Sequence, residues 1–387
     1  MKGELPPHLI SLKIIHCQES ASALLSRVLL AGGGTGGHLY PGLAVADRLR
    51  EQGVDCRFVG TSRGIEARVV PQRGYPLHLI HARGLAGKPW HKLWAVLQTA
   101  WGVLDCLGII SRQRPQLLIS TGGYVCAPVL MAARLRGLPV LMLEQNALPG
   151  KVNRKLARLA RRICLSFDES KKFFPADRCV TTGNPVRQEI LQATRSEGRK
   201  HFGIPEDRPV LLVTGASQGA ASLNEAVLRA LPLWKDKGWT IMHLTGPKHL
   251  AEVEEKSRSL VAGSMLDYRA IGYMGEMHLA LAAADLAVAR AGASTLAEFN
   301  AVGLPSILVP YPFAAEKHQD YNADALVNRG AALKLDDSAV VELLADTVAS
   351  LMEDSQRLGK MAEASLAGGR PQALEQIVEL IDKGPWG

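Results

Sequence analysis

Much of what this 387-residue chain lacks is informative. No stretch approaches the ~20 consecutive apolar residues of a membrane-spanning helix, so no such span is expected. The six cysteines (Cys17, Cys56, Cys106, Cys126, Cys164, Cys179) form no CxxC pair and read as buried or free thiols of a reducing cytoplasm. No GxxxxGK followed by Ser or Thr occurs, which speaks against a P-loop kinase or ATPase. Residues 1–26 lack a basic start, a clean apolar core and a small-residue cleavage site. They read as a mobile extension or an over-long start assignment rather than a signal peptide. No aromatic RNA platform or reader-helix signature appears, so nucleic acid is not an expected partner.

What is present describes a globular chain, 47% hydrophobic and 21% charged, long enough for two domains. Its net charge of +8 is unevenly spread. Residues 1–190 hold 26 Lys and Arg against 12 Asp and Glu, while 191–387 hold 19 against 25. A basic half calls for a polyanion, such as an anionic lipid or a phosphorylated substrate. Apolar runs at 28–30, 56–60, 116–120, 139–143 and 162–166 read as strands separated by helical stretches such as 127–137. A second series opens at 209–219 and continues through 240–246, 284–292 and 305–311, and the chain is helical from about Glu342. This alternation predicts an α/β protein of two doubly wound parallel-sheet domains in tandem, joined near GNPVR (183–187).

The most telling stretch is 31–41, AGGGTGGHLYP, with a buried strand before it and, at 42–53, apolar residues at helical spacing after it. A strand, a glycine turn and a helix aim backbone N–H groups and a helix dipole at an anion, and His38 stands at the mouth of that turn. The glycines satisfy GxGxxG, as in dinucleotide sites. A nicotinamide site, however, puts an acid at the end of the second strand, and FVGTSRG (58–64) has none. STGGYVCAP (120–128) and GASQGAASLNEA (215–226) repeat the device, so two diphosphates fit better than one mononucleotide.

In ARAGASTLAEFNAVGLP (289–305), Ser294 or Thr295 is expected to cap a helix. Glu298 lies in its early turns, where a carboxylate can chelate ribose hydroxyls or simply complement the helix dipole. FAAEKHQDYNA (313–323) offers His318, Gln319 and Asp320 to sugar hydroxyls. Glu144, Gln145 and Asn146 stand at a strand end, before a basic helix expected to carry Lys151, Arg154, Lys155, Arg158, Arg161 and Arg162. Trp90, Trp94, Leu97, Trp101 and Leu104, flanked by Arg83, Lys88 and Lys92, fit either core packing or a face that dips into an anionic bilayer.

GGTGGHLYPGLAVA, STGGYVCAP, LEQNALPG, GNPVR, GASQGA and ARAGASTLAE followed by HQDYNA occur in the order seen in the MurG family. That family, part of glycosyltransferase family 28, holds the bacterial UDP-N-acetylglucosamine:undecaprenyl-pyrophosphoryl-muramoyl-pentapeptide N-acetylglucosaminyltransferases. The chain resembles it from about Val28 to the C-terminus.

The resemblance implies a GT-B fold divided as 1–26 (extension), 27–186 (acceptor and membrane-associating domain), 187–365 (UDP-GlcNAc domain) and 366–387 (a helix packing back toward the N-terminal domain). It implies inverting transfer of N-acetylglucosamine to the C4 hydroxyl of the MurNAc of lipid I, giving lipid II, at the cytoplasmic face of the membrane. Other cell-wall synthesis proteins are implied as partners, and no cofactor. The absence of DxD argues against a metal clamp. By position, Thr35, Gly36, Gly37, Asn146, Arg187, Ser217, Met274, Ala293, Ser294, Thr295, Leu296, Ala297, Glu298, His318 and Gln319 would surround the donor. Gly34, Gly122, Gly123 and Tyr124 would meet the acceptor diphosphate, and Trp90, Trp94, Leu97 and Trp101 the membrane. His38 is the expected base and Glu144 its rival. A glycosyltransferase acting on another lipid and a UDP-GlcNAc 2-epimerase are the alternatives.

Overall fold

In a computed structural model of the protein, residues 25–84, 89–216, 218–384 and 386 are described, the side chains of 89–96 excepted. The expected leading extension, up to residue 24, lies outside the described residues, as do Ser217 and the side chains of Trp90 and Trp94.

Two parallel sheets organise the chain. The first contains β1 (Arg27–Gly32), β2 (Asp55–Gly60), β3 (Leu77–Leu79), β4 (Leu117–Gly122), β5 (Val140–Glu144), β6 (Arg162–Leu165) and β7 (Cys179–Thr181), in the order 3-2-1-4-5-6-7. The second contains β8 (Val210–Thr214), β9 (Thr240–Leu244), β10 (Asp267–Ile271), β11 (Leu286–Ala289), β12 (Ser306–Leu308) and β13 (Ala332–Lys334), in the order 10-9-8-11-12-13. The helices of the first half are α1 (Gly36–Glu51), α2 (Glu66–Gln72), α3 (Pro89–Gln113), α4 (Cys126–Arg136) and α5 (Lys151–Leu156). Those of the second half are α6 (Gln188–Gln192), α7 (Arg195–Phe202), α8 (Ala221–Ala230), α9 (Leu250–Leu260), α10 (Met277–Ala283), α11 (Ala293–Val302), α12 (His318–Asn328), α13 (Val340–Met352), α14 (Ser355–Gly368) and α15 (Ala373–Lys383).

The central strands are apolar without alternation and buried on both faces, as parallel strands between helical layers must be. The strand order reverses between β1 and β4 in one sheet and between β8 and β11 in the other. Crevices open at the carboxyl ends of strands at such switch points, and the three Gly-rich turns, after β1, β4 and β8, sit there. The last helix, α15, leaves the second domain and buries Ile377, Val378 and Ile381 in the core of the first, beside Val28 and Leu43.

Three local expectations are corrected. Helix α1 starts at Gly36, well before the apolar periodicity, so Gly37 and His38 lie in its first turn. The extended Thr35 turns the chain, and its carbonyl receives the N–H groups of His38 and Leu39. The basic helix is cut short: α5 ends at Leu156, a single 3-10 turn follows, and Arg162 already belongs to β6. Neither Ser294 nor Thr295 caps α11; Gly292 takes the extended cap position, and both residues fall inside the first turn.

Candidate active site

At the first switch point, β1 and β4 pair in register up to Ala31 and Ser120, and then Gly32 pairs with Gly122. Thr121 is therefore left over as a bulge, the usual device for re-aiming one residue of a ladder. Its hydroxyl donates to the Ala31 carbonyl (3.3 Å), and its own carbonyl turns toward α1. That carbonyl lies 3.1 Å from His38 Nδ1, and the Gln145 Oε1 lies 3.2 Å from the same nitrogen. Both partners can only accept, so Nδ1 carries the proton and Nε2 keeps its lone pair.

Gly122 and Gly123 close over the imidazole with φ of +101° and +87°. A side chain at Gly122 would also stand 3.0 Å from His38 Nδ1, so the turn requires glycine twice over. Tyr124 follows and packs its ring on Gly34, with its hydroxyl 3.2 Å from Thr61 Oγ1.

Beneath the first glycine turn lies a buried carboxylate that the sequence reading passed over. Glu66 opens α2 and accepts the N–H of Gly34 (2.9 Å), the N–H of Thr61 (3.0 Å) and the Thr61 hydroxyl (2.9 Å). A Cβ on Gly33 would come within 2.5 Å of its carboxyl carbon. The acid sought at 58–64 thus exists six residues beyond β2, but it is turned into the loop. The N–H of Gly34 is satisfied internally, whereas Gly36 and Gly37 stand in the first turn of α1, where N–H groups have no partner within the helix.

Glu144 ends β5 and is buried. It accepts from the backbone N–H (2.9 Å) and the side-chain amide (3.3 Å) of Asn146, from the Asn153 amide (2.8 Å) and from the Gly150 N–H (3.3 Å). Burial raises its pKa, against the opposing pull of these donors and of His38. With both oxygens occupied it clamps the 146–153 loop and the start of α5.

Across the cleft, the second domain presents α11 and α12. Arg187 Nη2 lies 3.3 Å from Glu298 Oε1, so the residue expected at the ribose is paired with another expected around the donor. Burial raises the Glu298 pKa, and Arg187 pulls it back. Asn184 donates to Ser294 Oγ (3.2 Å), fastening GNPVR over the N-terminus of α11. Thr295 and Ala297 are half-buried on that helix, Ala293 is buried beside them, and Met274 packs partly buried against the domain core. Leu296 is wholly buried on the same helix, with its N–H bonded to the Gly292 carbonyl.

Gln319 Oε1 accepts from the N–H groups of Tyr311 (2.8 Å) and Ala291 (3.2 Å), which leaves its amide nitrogen for a ligand. Burial lowers the His318 pKa, and His38, facing it from the other domain, lowers it further. The buried Asn322 bridges the two domains. It accepts from the Ala147 N–H (2.9 Å) and donates to both Asn146 Oδ1 (3.2 Å) and the Ala291 carbonyl (3.2 Å). Asn322 lies within the HQDYNA segment already singled out, yet nothing in its type distinguished it from its neighbours.

Residues 28–165 match the glycosyltransferase family 28 N-terminal domain, and residues 210–377 match the family's C-terminal domain. The chain is 46% identical over 369 residues to the UDP-N-acetylglucosamine--N-acetylmuramyl-(pentapeptide) pyrophosphoryl-undecaprenol N-acetylglucosamine transferase of Desulforudis audaxviator, covering 92% of this chain and 98% of that one. The chain belongs to the MurG group of glycosyltransferase family 28.

Another member of this group, from Chlorobaculum parvum, is 44% identical over 367 residues, with the same shares covered. Among solved structures, Acinetobacter baumannii MurG superposes with a TM-score of 0.77 at 30% identity, covering 92% of this chain and 99% of its own. A UDP-N-acetylglucosamine 2-epimerase from Listeria monocytogenes, described as putative in its name, reaches 0.62 at 16% identity and shares the fold alone. This GT-B fold explains why the two glycine-bearing edges face one another.

Proposed function

We infer that this enzyme transfers N-acetylglucosamine from UDP-GlcNAc to the MurNAc of lipid I, forming lipid II for peptidoglycan synthesis. Membership of the MurG group supports the reaction. The observation that carries the assignment of roles is the tautomer of His38, fixed by Thr121 and Gln145 at the mouth of the acceptor domain. In this reading His38 Nε2 takes the proton of the C4 hydroxyl as that oxygen attacks the anomeric carbon. One displacement inverts an α-linked donor to a β product, with no covalent enzyme intermediate. Charge developing on the leaving UDP is met by Arg187 and by N–H groups at the start of α11, where the helix dipole adds to them. Glu298 exchanges Arg187 for the ribose hydroxyls when the nucleotide enters. The Gly122–Gly123 turn, with Tyr124 beside it, receives the acceptor diphosphate, and Gly36 and Gly37 meet the donor.

The membrane-facing surface is assigned to α3. Leu97, Trp101 and Leu104 are exposed there, beside the exposed Met131 and Leu135 on the neighbouring α4, with Arg112, Arg134 and Arg136 near the helix ends. No helix among the described residues is long and apolar enough to cross a membrane.

Labelled GlcNAc transfer from UDP to lipid I, run with and without EDTA, tests the reading. Transfer in both conditions is expected, and no transfer in either overturns it. Loss with EDTA alone overturns the metal-independence argued from the absent DxD. Conversion of UDP-GlcNAc without acceptor would point to the epimerase alternative.

A further inference from the structure

The turn ahead of α12 holds two consecutive non-glycine residues in the left-handed region: Glu316 (φ +52°, ψ +21°) and Lys317 (φ +56°, ψ +28°). Side chains with a Cβ stay there only when their surroundings hold them. The restraint is visible at Glu316. Its carboxylate crosses the cleft to α5 of the acceptor domain, 2.7 Å from Lys151 Nζ and 2.7 Å from Arg154 Nη2. Burial raises its pKa, but the two cations outweigh that effect and hold the carboxyl below its usual range. The Lys151 side chain is 72% exposed and that of Arg154 31%, so the Arg154 arm dominates, because exposed pairs contribute little. The backbone that Glu316 holds leads at once into His318 and Gln319. Four residues beyond His318, Asn322 ties the same helix to Asn146 and Ala147.

We propose that Glu316 is a positioning residue: its ion pairs with Arg154 and Lys151 set His318 and Gln319 against the donor sugar and make sugar binding depend on contact between the two domains. The proposal rests on the transferase reading above. It separates the sugar from the nucleotide, because Arg187, Met274 and the start of α11 stand on other segments that Glu316 does not touch. UDP alone should bind without the clasp, whereas productive binding of UDP-GlcNAc should need it.

The test compares the wild-type chain, Glu316→Gln, Glu316→Ala, the pair Lys151→Glu/Arg154→Glu, and that pair combined with Glu316→Arg. GlcNAc transfer to lipid I, UDP affinity by calorimetry and a melting curve are measured for each. Absence of wild-type transfer is a failure of the transferase reading and is seen before any variant is compared. With wild-type transfer established, Glu316→Gln and Glu316→Ala should lower kcat/KM for UDP-GlcNAc roughly tenfold while UDP affinity stays put. The charge-swapped triple variant should recover most of that loss. Full activity in Glu316→Ala overturns the proposal, and so does a fall in UDP affinity equal to the fall in kcat/KM. A folded triple variant that recovers nothing also overturns it. Should the triple variant not fold, the nearly isosteric Glu316→Gln decides by the same split between UDP and UDP-GlcNAc.

Discussion

Single residues divide the two candidate bases. His38 has one nitrogen committed to two acceptors and the other left with a lone pair, whereas Glu144 is buried and saturated with donors. Replacing His38 by Ala should therefore lower kcat about 10²–10⁴-fold with UDP affinity retained, the usual size of a lost general base. Replacing Glu144 by Gln turns an amide NH2 toward N–H donors and should first show as instability, about 1–3 kcal/mol for a buried group left unpaired. A Glu144→Gln enzyme that melts like wild type but has lost turnover, beside a His38→Ala enzyme that still turns over, would transfer the role to Glu144. Both residues were legible in the sequence, because a histidine after a glycine turn and an acid at a strand end are local patterns. Glu66 was not: its carboxylate reaches Gly34 only because the β2–α2 turn folds back under the first glycine loop. A fold-back of that kind leaves no periodicity to read.

At the scale of elements, the central strands announced themselves by continuous apolar runs, while β3, β7, β10 and β13 went unread. They are short or only half-buried, so their residues carry weaker patterns. Strand β9 also carries a group with a measurable consequence. His243 lies within the second domain, its Nε2–H donating to Asn224 Oδ1 on α8 (3.0 Å) and its Nδ1 accepting from the Tyr268 hydroxyl on β10 (2.8 Å). Burial alone pushes its pKa down to about 3. The unfolded chain, with an ordinary histidine pKa near 6.5, binds more protons than the native chain between those values. Stability therefore rises with pH through that window and is lost on acidification. From pH 7 to pH 5 this one group should cost about 2 kcal/mol. Denaturant melts at the two pH values check the figure. A His243→Gln variant, which keeps a donor and an acceptor but no titration, should lose less over the same interval. Equal losses in the two proteins would show that the acid sensitivity arises elsewhere.

For the molecule as a whole, the charge asymmetry was legible in the sequence beside the two-domain architecture, and it raises the question of orientation. The basic half is the half that exposes Trp101, Leu104 and Leu97 on α3, next to Met131 and Leu135 on α4. An acceptor held on a lipid requires the acceptor domain, and not the donor domain, to approach the bilayer. On the membrane-facing role proposed for this surface, the apolar side chains would supply the non-polar contribution, about 1.5–3 kcal/mol for each large one fully buried. Each Lys or Arg at an anionic surface adds about 1 kcal/mol, screened by salt. The two contributions are separable with the full chain and lipid vesicles. Binding to vesicles rich in anionic lipid should weaken as salt rises, while some apolar binding persists. Trp101→Ser combined with Leu104→Ser should weaken binding at least tenfold at every salt concentration, since both large side chains then lose their burial in the lipid. The same variant should keep its turnover on a short-chain, water-soluble acceptor, because both side chains are exposed on the surface of α3. Unchanged vesicle binding in this variant would move the membrane face elsewhere on the basic half. Lost turnover on the soluble acceptor would instead make these side chains part of the acceptor site itself.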